Sequence, residues 1–398
     1  MEYKYHRSER AARFCHKTYH HRTPEDKMMT EQLFFERIRK HLSDALPFVV
    51  YRKPDEERVV AYFQADDKIN LVSNSTESGF IFAPFLQNRN AILIPFADKI
   101  ECELYLPEVT ASETSHPRAS LASKEHHESL VQKGIDAIKN SALEKVVLSR
   151  KQSVGLNDPD PIEIYRKLLA SYPSAFCYLW FHPKIGLWTG ATPEVLLTVE
   201  RKRFKTMALA ATQKFQGSVD IDWGEKELEE QQIVTRTIVS ALKKLGISSL
   251  EVSEVHTHQA GNLLHLKTDI QGLLPVAITL SQMLSELHPT PAVCGLPLAM
   301  AQDFILEHEG YDREFYTGYL GELNLKEHIQ RYRSKRNVEQ RAYRTPKQSS
   351  SLYVNLRCMK LEGDTAHIFV GGGITKDSTA TDEWIETVNK SQTMLKVL

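Results

Sequence analysis

The stretch from Val59 to Leu106 carries four short runs, VVAYF, NLVS, FIFAPF and AILIPF, parted by polar or turn-forming residues. Short runs of β-branched and aromatic residues bounded by turn signals read as strands. With no room between them for the long crossover that parallel neighbours need, they pair antiparallel. A helix is predicted just before them from Met29, where Leu33, Phe34, Ile38 and Leu42 recur at helical spacing, and Phe48–Tyr51 reads as a strand. Further helices are predicted near 126–140 and 161–170, and strands at 145–150, 175–181, 185–189, 194–200 and 203–209. Strands and helices come in runs and do not alternate strictly. That pattern predicts an α+β fold with antiparallel sheets rather than a doubly wound parallel one.

A length of 398 residues allows two to three domains or one large composite one. Fifty Lys and Arg against fifty-one Asp and Glu leave a net charge of -1, which suggests no nucleic-acid partner. Apolar stretches such as Ala91–Ala97 fall short of the roughly 18 residues a membrane-spanning helix requires. The five cysteines are odd in number and never closely paired, so a disulfide framework and a zinc ribbon are both disfavoured and a reducing, cytoplasmic setting is expected. Lys4, Arg7, Glu9, Arg10 and Arg13 interrupt any secretory leader.

Residues 1–28 are basic and poor in aliphatics, and they are predicted to be a disordered or loosely attached extension of a single domain over 29–398. Cys15, His16, His20 and His21 in that extension lack a downstream partner at zinc-finger spacing. Residues 107–122 read as a surface connection between a variable part (29–122) and a core (123–398). Segment 326–347 holds eight Lys or Arg and two Glu, and it reads as an exposed basic insertion.

Candidate chemistry concentrates toward the C-terminal half. A helix predicted over Glu225–Leu245 has an apolar stripe at Val234, Ile238, Ala241 and Leu245, and helical steps backward land on Glu230 and Glu227. Carboxylates facing a core need a partner, and hard oxygen ligands suit Mg²⁺. The last helix, predicted over Asp382–Val397, places Glu383, Glu386 and Lys390 on one face, with an i,i+4 ion pair as the simpler role. Gly371-Gly372-Gly373, after a strand predicted at His367–Val370, lets a ligand approach the backbone but has neither Rossmann nor phosphate-loop spacing. Lys145, Glu194 and His288 carry no signal on their own.

Read in order, EKVVLSR (144–150), GATPEVLL (190–197), ALAAT (208–212) and EKELEEQQIV (225–234) resemble the chorismate-utilising enzymes, and among them the isochorismate synthases. So do NLLHLKT (262–268), LHPTPAVCGLP (287–297), YDREFYTGYLG (311–321), LYVNLRCMKL (352–361), FVGGGIT (369–375) and EWIETVNKSQTML (383–395). The resemblance covers about 123–398 and implies two large antiparallel sheets flanked by helices, with the active site between them. It implies addition of water at ring carbon 2 of chorismate while the carbon 4 hydroxyl leaves, upstream of menaquinone, a siderophore or salicylate. Lys145 matches the family's general base and Glu194 its general acid. A lysine serves as base when neutral, and a buried carboxyl can stay protonated near neutral pH.

The same resemblance makes Glu230 and Glu386 the Mg²⁺ ligands, with Glu227 and Glu383 as partners nearby or through water. Arg357, Lys390 and the backbone at Gly371 and Thr212 match groups that hold the substrate's carboxylates. Tyr319, His265, Ala292 and Val293 match residues around the ring. Relatives that add ammonia lack a lysine at position 145, and aminodeoxychorismate synthases carry a nucleophilic lysine where this chain has Ala210, so water is expected and no glutamine amidotransferase partner. A monomer is the default expectation. The chain departs from the family at Ala211, where glycine is usual, and at Glu229-Glu230-Gln231, which replaces His-Glu-His. Two alternatives remain open on sequence: a salicylate synthase, which also eliminates pyruvate, and a chorismate-binding protein without turnover.

Overall fold

The computed structural model describes residues 29–104, 120–327 and 347–398. The expectations for 1–28, for most of the 107–122 connection and for most of the basic segment 326–347 lie outside the described residues. One antiparallel sheet runs in the order β15 (Gly295–Leu296), β7 (Lys145–Gly155), β19 (Thr365–Ile374), β18 (Cys358–Glu362), β9 (Gly186–Thr192), β8 (Phe176–His182), β1 (Phe48–Arg52), β2 (Arg58–Phe63), β6 (Asp98–Glu103). The second runs β12 (Leu250–Val252), β14 (Leu263–Leu273), β11 (Arg203–Lys214), β10 (Val195–Glu200), β17 (Lys347–Val354), β16 (Tyr319–Glu327), β4 (Gly79–Ala83), β5 (Ile92–Pro95), β3 (Asn70–Leu71). A short strand, β13 (His256–Ala260), adds to β14. The helices are α1 (Glu31–Ser43), α2 (Leu121–Asn140), α3 (Pro161–Ser171), α4 (Glu225–Lys244), α5 (Leu280–Leu287), α6 (Leu298–His308) and α7 (Ala380–Leu395).

The apolar runs follow from sheets covered on both faces. Successive side chains of a strand point to opposite faces. In VVAYF, Val60 and Tyr62 join one buried cluster while Val59, Ala61 and Phe63 join another. The first cluster is the aromatic layer between the two sheets, with Phe80, Phe82, Phe176, Trp180, Trp188 and Phe369. A fully buried aromatic removes roughly 150–250 Å² from water, worth on the order of 4 kcal/mol, so this layer dominates the packing of sheet on sheet. Helices α1 and α3 cover the outer face of the first sheet, and α4 and α5 cover that of the second. The α+β architecture predicted from sequence is the one observed.

Three local expectations are corrected. The strand expected at His367–Val370 continues through the three glycines to Ile374, because Gly371, Gly372 and Gly373 pair with Ser149, Leu148 and Val147 of β7. The strand expected at 145–150 extends to Gly155 in the same ladder. On α4 the buried stripe is Gln231, Val234, Ile238 and Leu242, so Ala241 and Leu245 are only half-buried. That rotation sets Gln231 into the core, donating to the Ala208 carbonyl at 3.1 Å, and leaves Glu230 at the edge of the stripe facing β19.

Candidate active site

A cleft opens where the C-terminal part of β19, the middle of β11 and the loop between β9 and β10 meet the N-terminal half of α4 and the face of α7. Glu194, Thr212, Glu230, His265, Ala292, Val293, Arg357, Gly371, Glu386 and Lys390 all line it. Eight segments scattered between Glu194 and Lys390 therefore supply one wall each, and only the fold brings them together.

Lys145 begins β7 and is fully buried. Its backbone is held by β15, where Leu296 pairs with it and Gly295, at φ 144°, passes so close that an added Cβ would lie 2.2 Å from the Lys145 carbonyl oxygen. A residue with a side chain cannot occupy that left-handed position without moving the strand. The Lys145 ammonium lies behind Gly373 and donates to Oε1 of Glu230 at 2.7 Å. A Cβ at Gly373 would sit 2.4 Å from that same oxygen and 2.9 Å from Cε of Lys145, so the glycine leaves the space both side chains use.

Glu194 follows Pro193 at the start of β10 and is 3 % exposed. Its backbone is fixed at both ends: its N–H donates to Oγ1 of Thr192 at 3.3 Å, and its carbonyl accepts from Val354 N–H at 3.0 Å. Burial pushes the carboxyl up to about 8, against the opposing pull of Lys145, Arg357 and Lys390. At neutral pH it holds a proton it can give away.

One wall of the cleft is built from β11, β14 and the residues around Arg357. Nδ1 of His265 lies 2.7 Å from the Ala211 carbonyl, which can only accept, so the proton sits on Nδ1 and Nε2 faces Arg357 Nη2 at 3.5 Å as acceptor. Burial pushes the ring down to about 3, with Arg357 adding to it, so His265 stays neutral and orients the guanidinium. Thr212 lies beside the same ring, its Oγ1 3.5 Å from Nδ1. Ala211 adopts φ 55° at the point where the β11–β14 register shifts. The left-handed conformation anticipated for a glycine position is thus present, with the strain an alanine suffers there.

Facing this wall, α7 starts at an N-cap, Thr379, whose side chain accepts from Asp382 N–H. Glu383, Glu386 and Lys390 follow on one face. Nζ of Lys390 lies 2.5 Å from Glu386 and donates to the Gly371 carbonyl at 2.9 Å. Burial alone would raise Glu386, but Lys390 beside it holds the carboxyl below the ordinary glutamate range. Glu383, 1 % exposed, is pushed up by burial and by Glu386; its Oε1 accepts from Lys226 at 2.8 Å. Its Oε2 has no hydrogen-bond partner among the described residues and lies 3.0 Å from where a Cβ of Gly372 would stand.

Glu383 therefore stands beside the cleft, behind Gly372, and not on its surface. Glu227 turns back over the start of its own helix, its Oε2 2.5 Å from where Gly224 would carry a Cβ. Tyr319 packs edge-on against His288, ring centroids 4.9 Å apart, in the layer under α5. Tyr316 lines the cleft and Lys226 pairs with Glu383 beside it, and neither was picked out from the sequence. Tyr316 sits in the YDREFYTG word without a periodic signal, whereas Lys226 lies one turn before Glu230 and was open to detection.

Models of the chorismate-binding enzyme family match residues 87–329 and residues 342–396, well over half of the chain. The chain belongs to the chorismate-binding enzymes. It is 26% identical over 380 residues to isochorismate synthase EntC of Escherichia coli K12, covering 86% of each chain. It is 27% identical over 287 residues to anthranilate synthase component 1 of Lactococcus lactis, covering 69% of this chain and 58% of that protein. The fold superposes on the solved structure of DhbC from Bacillus anthracis with a TM-score of 0.71 at 21% identity, covering 90% of this chain and 98% of the other.

The acidic and basic groups of this chorismate-binding chain converge on one cleft between the sheets. No three His, Cys, Asp or Glu side chains among the described residues gather around a single point. The cause is local: Glu230, Glu383 and Glu386 are each drawn to a lysine, Lys145, Lys226 and Lys390 respectively.

Proposed function

We propose that the chain is an isochorismate synthase. The reaction adds water at carbon 2 of the chorismate ring and releases the carbon 4 hydroxyl. The observation that carries the reading is Glu194, a buried carboxyl on the cleft wall that stays protonated near neutral pH. Such a group gives its proton to a departing hydroxyl, which then leaves as water. Lys145 receives the proton of the attacking water only after its ammonium, now paired with Glu230, has given up one proton to solvent and the neutral amine has turned toward the cleft. Arg357, oriented by neutral His265, and Lys390, anchored on the Gly371 carbonyl, hold the two carboxylates of the substrate.

The acids beside the cleft fit Mg²⁺. Glu230 and Glu386 line the cleft, Glu383 keeps a buried oxygen without a hydrogen-bond partner among the described residues, and Gly372 and Gly373 leave room over β19 for these carboxylates. Glu230 and Glu386 would hold the ion, with Glu383 behind them. When bound, Mg²⁺ stabilises negative charge on the ring carboxylate and so favours displacement.

Ala210 lines the cleft at the place where relatives that form a covalent adduct carry lysine, so direct attack by water is the route this chain supports. Turnover in oxygen-18 water tests it. The account expects one oxygen-18 in the isochorismate formed; product without the label would exclude water as the nucleophile.

A further inference from the structure

Six charged side chains meet beside the cleft, three carboxylates and three ammoniums, and they pair one to one. Lys145 takes Glu230 at 2.7 Å, Lys390 takes Glu386 at 2.5 Å and Lys226 takes Glu383 at 2.8 Å. The three lysines differ in what else holds them. Lys145 is fully buried at the start of β7, and Lys390 also donates to the Gly371 carbonyl. Lys226 has no such second anchor among the described residues, and its side chain is 32% exposed against 1% for Glu383.

Lys226 also stands one helical turn before Glu230 on α4, so its ammonium feels all three acids: Glu383 most, then Glu386 and Glu230. A lysine head is a compact cation on a flexible stem. With a third of its surface already in water, it can swing out without being dragged through protein.

We infer that Lys226 is a tethered cation that competes with the divalent metal for this acidic cluster, pairing with Glu383 and yielding by swinging to solvent. The inference rests on the magnesium reading above and extends it to a residue that touches neither the cleft surface nor the substrate. It gives Lys226 two effects of opposite sign. The ammonium stabilises the protein by neutralising buried Glu383, and it weakens metal binding by the same contact. A plain structural ion pair has the first effect only.

Calorimetric titration of MgCl₂ into chelator-treated full-length protein separates these cases, with wild type, Lys226→Met, Lys226→Arg and Glu230→Gln compared. The inference predicts that Lys226→Met binds Mg²⁺ about fivefold or more tightly than wild type, the size of an ordinary coupling between two ligands. Lys226→Arg keeps the charge and stays close to wild type. In EDTA, Lys226→Met melts below wild type, and saturating Mg²⁺ closes that gap. Should Lys226→Met not fold, Lys226→Gln carries the same comparison. Unchanged or weaker Mg²⁺ binding in the neutral variant, or a melting gap equal with and without Mg²⁺, overturns the competition and leaves a structural pair. If wild type takes up no Mg²⁺, or Glu230→Gln takes it up equally well, the magnesium reading itself falls and the inference with it.

Discussion

The ammonium of Lys145 donates to Oε1 of Glu230 at 2.7 Å, which ties the first residue of β7 to the second turn of α4. One contact thus joins the proposed base to a proposed metal ligand, and it links a strand of the first sheet to the helix that covers the second. A lysine shielded from water and held by a carboxylate is costly to build, and breaking one half of such a pair strands the other half.

Replacing Lys145 with Ala is expected to lower kcat by about a thousandfold, the range a positioned base contributes, while far-ultraviolet circular dichroism stays unchanged. Steady-state rates on the purified variant decide it. Wild-type-like turnover would remove Lys145 from the mechanism.

The pH profile should carry the signature of Glu194. Its folded value, about 8, lies above the ordinary glutamate value of 4.5, so the proton needed for catalysis is lost as pH climbs through about 8 and kcat/KM falls there. The stability contribution has the same sign. It is complete below the ordinary value and lost as pH rises toward 8, because only the folded state resists ionisation. Glu194→Gln mimics the neutral carboxyl, so it is expected to be inactive yet to melt progressively higher than wild type as pH rises from the ordinary value of 4.5 to about 8, with the gap level above that. A melting difference that does not change with pH would contradict the buried neutral acid.

Ala211→Gly is expected to stabilise the protein by about 0.5–1 kcal/mol, because relief of the left-handed alanine outweighs the extra freedom of glycine in the unfolded chain. Urea denaturation checks it. A loss of stability would mean that the β11 bulge is held by contacts of the Ala211 methyl.

Arg357→Lys keeps the charge but loses the planar fork that His265 orients. KM for chorismate is expected to rise about tenfold, the equivalent of one charge-assisted hydrogen bond, with a smaller effect on kcat. An effect confined to kcat would assign Arg357 to the chemical step and not to holding the substrate.

Much of this was open to inspection in the sequence. VVAYF is buried residue by residue on alternate faces, so its continuous apolar run had one meaning once two covered sheets were assumed. The last helix, expected from Asp382, begins two residues earlier, at Ala380, but the spacing of Glu383, Glu386 and Lys390 put them on one side. The triple glycine misled because glycine reads as a strand breaker. Here the ladder continues, and the missing side chains serve to admit Glu230 and Glu383 above it. The pairing of each acid with its own lysine was hidden for another reason. Lys145 and Glu230 are 85 positions apart and Lys226 and Glu383 are 157 apart, distances over which no periodicity carries information.

The measurement that bears most directly on the account is incubation of the purified chain with chorismate, with and without Mg²⁺, and identification of products by chromatography and mass. The account predicts a Mg²⁺-dependent product of the same mass as chorismate and no pyruvate. Pyruvate together with salicylate would make the chain a salicylate synthase, and unchanged chorismate from well-folded protein would contradict catalysis and leave a binding protein.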